Sequence, residues 1–394
     1  MQCVIYSQAA SSPGGRSIPN FYHFEGGLMS LRLRLDELSQ NLSLLLRGVV
    51  VPVVCLFATM TYEVSAQRLG PTNSLTDVAG LKVGHFERTD AGYRSGTTVI
   101  LAEPAATASI DVQGGGPGTR ESDLLAPGGL VTQVNAIVLS GGSAYGLDAS
   151  TGVMRWLEEH GQGYPIAGGV VPIVPSAILF DLGRGGDFSK RPDAEFGYAA
   201  ADAAHSGPVA QGRVGAGTGA RHGLGTASVV LDNGYTVAAI VGLNPAGSPV
   251  NPATCQPYGL FLELEGEFGL VAPDASECPS VDAGPSSVPD GPAFNTTIAL
   301  VATDAPLDQT QAQRMAKVSN SGLARSIRPI HNLGDGDAVF GVATGNTAQA
   351  SELTLRDVQL IYNAASDALG RAVVHALISG GTYCSDYPSA CRLR

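Results

Sequence analysis

Asn295-Thr296, near the head of "FNTTIALVATDAP" (294–306), places a hydroxyl directly after a carbonyl that it could attack. Attack by the Thr296 hydroxyl on the Asn295 carbonyl turns the amide into an ester, which water then cleaves. Scission frees Thr296 as an N-terminus holding both a hydroxyl and its own α-amine. An α-amine has an unperturbed pKa of about 8, far below that of lysine, so it accepts the hydroxyl proton near neutral pH. Asn-Thr-Thr also suits a plain strand start, because hydroxyl residues are good strand and cap residues. Its surroundings distinguish it. The Pro-, Ser-, Asp- and Gly-rich stretch 272–292 reads as an exposed linker that lets the old end swing away, and "GDGD" (334–337) follows about forty residues later.

Other motifs narrow the chemistry. The Gly141-Gly142 turn of "GGSAY" opens a helical pattern, where backbone N–H groups could meet an oxyanion or a carboxylate; plain strand-to-helix packing explains it as well. Tyr145 stands where a Gly-x-Ser-x-Gly elbow needs its second glycine, which disfavours a Ser-His-Asp triad. "GAGTGA" (215–220) leads into a hairpin instead of the helix that a dinucleotide site requires. The seven histidines are scattered and no Cys-x-x-Cys occurs, so neither a metal nor a cofactor is expected.

The elements that must position these residues alternate. "LKVGHF", "GTTVILA", "AILFDL" and "DAVFGVATG" read as strands, and "TASVVLDNGYTVAAIVGLN" as two strands joined at Asn233-Gly234, a strong hairpin signal. Helical spacing marks "GLDASTGVMRWLEEH", "PDAEFGYAAADAAHSG", "DQTQAQRMAKVSNSGLARSI" and "LRDVQLIYNAASDALGRAVVHALIS". Strand pairs interleaved with helix pairs predict a layered α/β sandwich.

The 35 acidic against 23 basic residues give a net charge of −12 with no basic cluster, which argues against nucleic-acid or anionic-membrane partners and for small molecules or short peptides. Residues 1–66 read as an N-terminal extension and secretory signal. Arg32, Arg34 and Arg47 precede the uncharged run 48–62, cleavage is expected after Ala66, and Met29 is a candidate start. The run is shorter than the about 20 residues of a membrane span, so a periplasmic or secreted protein is expected. Cleavage would leave Cys255, Cys278, Cys384 and Cys391. Their spacing favours the pairs 255–278 and 384–391 among three possible connectivities.

"SLTDVAGLKVGH", "GYRSGTTVILAE", "VQGGGPGTRE", "IVLSGGSAYGLDASTGV", "VAAIVGLNPAG", "FNTTIALVATDAPL" and "GDGDAVFGVATG", within residues 74–380, resemble the DmpA-type aminopeptidase/amidase family. Within it, the chain is most similar to the branch containing the nylon-oligomer (6-aminohexanoate) endohydrolase. The resemblance implies an αββα sandwich of N-terminal-nucleophile type, cleaved at Asn295-Thr296 into subunits 67–295 and 296–394 that assemble as a tetramer of heterodimers. It implies Thr296 as nucleophile and base, and Asp335 and Asp337 as carboxylates polarising it from one face of a strand, with Lys190 relieving their repulsion. It also implies Asn244 as oxyanion donor and Tyr145 beside the substrate. The expected activity is hydrolysis of short peptides, aminoacyl amides, β-peptides or 6-aminohexanoate oligomers. An acyltransferase of ornithine-acetyltransferase type and an uncleaved, non-enzymatic periplasmic protein are the alternatives.

Overall fold

A computed structural model describes residues 67–278, 294–345 and 352–392. The signal-sequence reading and most of the linker fall outside those residues. Eight strands carry the architecture: β1 (Leu81–Arg88), β2 (Ser95–Val112), β3 (Gln133–Ser140), β4 (Ser176–Ile178), β5 (Gly223–Val230), β6 (Thr236–Asn244), β7 (Thr296–Thr303) and β8 (Ala338–Ala343). Four helices flank them: α1 (Ala149–Glu159), α2 (Ala194–Asp202), α3 (Gln309–Ser326) and α4 (Leu355–Ser379).

The pairing order β5-β6-β7-β8 continues through β2 to β3 and β4, with β1 also on β2. β2 is long enough to serve two leaves. Its second half pairs with β8 at Thr107–Val112, and its first half with β1 and β3 at Ser95–Ala102.

Side-chain alternation shows why the leaves stack. Ile240, Ile298, Leu300, Phe340 and Val342 meet Ile100, Ile137 and Leu139 in a core between the leaves. Their neighbours Val241, Val301 and Val339 point the other way, onto α3 and α4 through Met315, Leu323, Leu369 and Val373. On the opposite side Val99, Leu101 and Val138 face Val153, Trp156 and Leu157 of α1. Period-two strands that are apolar on both faces, covered by helices, yield an αββα sandwich.

Local chemistry fixes the helix starts. Asp193 accepts from the Glu195 and Phe196 amides, while Asp308 with Gln311 and Thr354 with Asp357 form capping boxes. Helices α1 and α2 touch backbone to backbone. A Cβ at Gly152 would lie 1.7 Å from the Ala194 carbonyl oxygen, and one at Gly197 would lie 1.8 Å from that of Ala149.

Both expected disulfides are formed, Cys255–Cys278 and Cys384–Cys391. The segment carrying Cys255 braces α4: Phe268 is fully buried against Val374 and Ile378. Among the described residues no helix is long and apolar enough to cross a membrane.

Candidate active site

Strand β7 begins at Thr296, and its register with β6 sets Thr296 directly opposite Asn244. On its other side the chain before β7 meets the loop before β8 in a parallel bridge, Asn295 to Asp335. Both ends of the Asn295-Thr296 bond are therefore gripped. The Gly336 amide donates to the Asn295 carbonyl oxygen at 3.2 Å, and the Thr296 hydroxyl donates to that same oxygen. Asn295 and Thr296 are buried, and the Thr297 amide donates to Asp337 Oδ1 at 2.7 Å.

Asp335 and Asp337 are both fully buried and close to this bond, but they lie in the loop before β8 and not within a strand. The expected same-face strand geometry is thus replaced by a loop that wraps the bond. Gln113 and Gly114 hold that loop through amides donated to the Asp337 carbonyl, at 3.0 and 3.1 Å. A Cβ on Gly114 would lie 2.2 Å from the Asp337 nitrogen, so the "QGGG" run is small because backbone must touch backbone.

The carboxylates find partners without a lysine. Asp335 accepts from the Asn332 side chain at 2.9 Å and from the Asn332 and Ala246 amides at 3.2 Å each. Asp337 accepts from the His331 amide at 3.1 Å and faces His331 Nδ1 at 2.9 Å. Lys190 is exposed, its Nζ 5.4 Å from the centre of the Tyr93 ring, and so does not relieve the aspartates. The cation beside the bond is Arg184. It donates to Asn244 Oδ1, to Asn295 Oδ1 and, at 2.8 Å, to the Phe294 carbonyl.

Asn244 is fully buried. Its Oδ1 also takes the Arg221 amide at 3.0 Å, and its Nδ2 donates to the Phe180 carbonyl at 2.9 Å. One Nδ2 proton suffices for that bond, leaving a second donor on the same amide.

The Gly141-Gly142 turn differs from the sequence expectation. Gly141 donates to the Gly96 carbonyl at 3.0 Å and Gly142 to the Asp181 carboxylate at 2.7 Å, so both amides are taken up within the protein and neither is left for a substrate's oxyanion or carboxylate. The positive φ of Gly142, 88°, turns its N–H toward Asp181. Tyr145 is half exposed, with the Arg191 guanidinium 3.5 Å from its ring centre and the Phe188 ring 6.5 Å away.

Burial raises the Asp335 carboxyl above the usual carboxylate value. The negative charge of Asp337 adds to the rise, against the bonds from Asn332 and Ala246. The folded chain therefore holds this proton better than the unfolded chain. The associated stability is complete below the ordinary value of 3.8 and is lost as pH rises through the raised one. Asp335→Asn removes that loss, so the Tm of the variant relative to wild type is expected to climb across this window in a pH series of thermal melts. A flat difference would contradict the assignment.

Arg184 and His331 carried no signal beyond their types. Arg184 lies 111 residues from Asn295 in "DLGRGGD", and only the fold joins them.

The model of Peptidase family S58 matches residues 73–386. An uncharacterised aminopeptidase of Mycobacterium leprae is 45% identical over 352 residues, covering 81% of this chain and 96% of that protein. A 6-aminohexanoate-oligomer endohydrolase of Paenarthrobacter ureafaciens is 30% identical over 289 residues, covering 68% of this chain and 74% of its own. Among solved structures, a Burkholderia sp. beta-aminopeptidase aligns with a TM-score of 0.60 at 25% identity over 81% of this chain and 90% of its own. An l-aminopeptidase d-ala-esterase/amidase of Ochrobactrum anthropi, described as a variant of the Ntn hydrolase fold, gives 0.61 at 23% over 80% and 90%. On the family match and these relatives, the chain belongs to peptidase family S58 and is a hydrolase of amide or peptide bonds of Ntn-hydrolase fold.

Proposed function

We propose that this hydrolase cuts itself at Asn295-Thr296 and then works through an acyl-Thr296 ester. Its substrates would be short peptides, aminoacyl amides, β-peptides or ω-amino-acid oligomers of the 6-aminohexanoate kind. The observation that carries this reading is the Thr296 hydroxyl seated against its own preceding carbonyl, with the Gly336 N–H on the same oxygen. That amide is aimed where negative charge develops when Oγ1 adds to the carbonyl carbon. The C–N bond then breaks, its electron pair takes a proton at the Thr296 nitrogen, and water hydrolyses the resulting Asn295 ester.

In turnover the freed α-amine takes the Oγ1 proton as Oγ1 attacks the substrate carbonyl. The second Nδ2 proton of Asn244 serves the oxyanion, the α-ammonium gives its proton to the leaving amine as the C–N bond breaks, and water then hydrolyses the acyl-Thr296 ester. Asp335 and Asp337 act as positioning residues that bracket the bond at Asn295 and Thr297. Pairing of β6 with β7 from Val237–Thr303 to Asn244–Thr296 keeps the two chains together after scission. The reading extends to export, which the two disulfides support, and to assembly of such heterodimers into a tetramer.

The test is intact mass and N-terminal sequencing of active protein, with turnover of aminoacyl amides, β-dipeptides and 6-aminohexanoate oligomers measured side by side. A second chain beginning Thr-Thr-Ile-Ala is expected. Active protein without it refutes the mechanism. Gly336→Ala probes the amide separately. Its Cβ would lie 2.8 Å from the Gly116 carbonyl oxygen and 3.1 Å from Thr296 Oγ1, displacing the donor. Processing is expected to slow about a hundredfold, as for a lost oxyanion donor, read as the rate at which two bands replace one.

A further inference from the structure

Charge is distributed unevenly around the scissile bond. A cavity of about 400 Å3 beside Asn295 is lined by Arg94, Arg184, Arg213 and Arg221, with Gly219 and Ala220 between them. A second cavity of about 330 Å3 shares Arg94 and Arg213 and reaches Tyr93, over which Lys190 is poised. In a chain of net charge −12, four guanidinium groups converge on one opening.

None of the four is ion-paired with a carboxylate among the described residues. Arg184 donates to neutral acceptors on Asn244, Asn295 and Phe294. Arg213 donates to the carbonyls of Gly380, Ala220 and Arg221 and to the Thr382 hydroxyl. The guanidinium groups of Arg94 and Arg221 have no hydrogen-bond partner among the described residues. The arginines also repel one another. Burial lowers Arg184 and Arg213 from the usual arginine value; Arg94 pushes Arg213 further down, while on Arg184 nearby Asp181 works against Arg221. Four unpaired cations gathered at one opening cost free energy that a bound anion returns.

We propose that this cleft is the substrate's anion subsite: it takes an amide carrying a carboxylate next to the scissile bond, held by the free forks of Arg94 and Arg221. The inference rests on the amide-hydrolase reading and narrows its substrate class to anionic short amides, such as acidic peptides or oligomers with a free terminal carboxylate. A planar guanidinium matches a carboxylate with two parallel N–H···O bonds, which an ammonium cannot do. The volume suits one or two residues of substrate. Arg184 spans the cleft and the reaction centre through Asn244 and Asn295, so an anion held there is near the bond to be cut. Scission would also create a carboxylate at the edge of this cleft, the α-carboxylate of Asn295.

The test compares matched short amides that differ only in a free carboxylate or its primary carboxamide, on the acyl side in one pair and on the leaving side in the other. Two-chain wild type is expected to favour the carboxylate form in one pair by about tenfold or more in kcat/KM. That ratio should fall toward unity in Arg94→Gln and Arg221→Gln, through KM, and shrink with added salt. Both side chains are exposed, and two bands on a gel verify that the variants are processed. Ratios near unity in both pairs, or a preference that neither variant changes, overturn the proposal.

Calorimetry with glutarate separates the two sources of carboxylate. Binding to two-chain wild type supports a substrate subsite. Binding to single-chain Thr296→Ala but not to two-chain protein means that the arginines hold the chain's own Asn295 end, and overturns it. If wild type stays one chain and turns over no amide, the hydrolytic mechanism fails by itself. Glutarate binding that Arg221→Gln abolishes then still supports a carboxylate site, and no binding sinks it.

Discussion

Thr296→Ala is expected to leave one full-length band on a denaturing gel where wild type gives two, and to lower amide turnover by about four orders of magnitude or more. The size follows from two losses in one substitution. Removing Oγ1 removes the nucleophile, and without scission the α-amine that serves as base never forms. Thr296 is buried at the first position of β7 with Asn244 opposite, and alanine occupies that place without a clash, so the fold is retained. Thr296→Ser separates the two requirements. It keeps hydroxyl and amine, and is expected to process and to turn over amides. A two-band Thr296→Ala protein, or an active one, would refute self-processing by this residue.

The second large effect concerns stability and lies away from the reaction centre. Glu267 accepts from Arg371 Nε at 2.5 Å and Nη2 at 2.8 Å, from His375 Nε2 at 2.7 Å and from Asn73 at 2.6 Å. Arg371 is itself fully buried and donates to the Ser228 carbonyl at 3.0 Å and to Asn73 at 2.9 Å. This network ties the segment before the linker to α4, to β5 and to the start of the fold. Burial alone would raise the Glu267 carboxyl, but the bonds from His375 and Arg371 outweigh it and hold it at about 2.

A depressed carboxylate contributes stability that is present above its ordinary value of 4.5 and lost as pH falls toward about 2. The span corresponds to about 3 kcal/mol. Glu267→Ala leaves Arg371 charged, buried and unpaired, and is expected to destabilise by about 3–5 kcal/mol. Denaturant unfolding at neutral pH measures the loss, and the variant should also lack the wild type's extra acid sensitivity between pH 4.5 and 2. A loss below about 1 kcal/mol, within the reach of a surface pair, would contradict the network.

Much of the architecture was legible because it is local. The apolar runs "TVAAIVGLN" and "TTIALVAT", the Asn233-Gly234 hairpin, the helical spacing of α1 to α4 and the short-range cysteine pairs each sit within one stretch of chain. A period of two on both faces specifies a strand buried between layers before any partner is known. "GTTVILA" and "TASIDV" were less readable. They belong to one strand, β2, which passes from one leaf to the other.

What the sequence determined by itself is which bond has a hydroxyl next to it, and which segments become strands and helices, because covalent adjacency and side-chain periodicity are written along the chain. The tertiary structure decided which groups surround that bond. It set Arg184 there from 111 residues away and left Lys190 at Tyr93; it folded "GDGD" into a loop that holds Asn295 and Thr297, and it tied the Gly141 and Gly142 amides to Gly96 and Asp181. The reason is reach and competition. A long cationic side chain goes to whichever acceptors the sheet register brings near it, and a glycine amide takes the first acceptor the turn offers, neither of which spacing along the chain encodes.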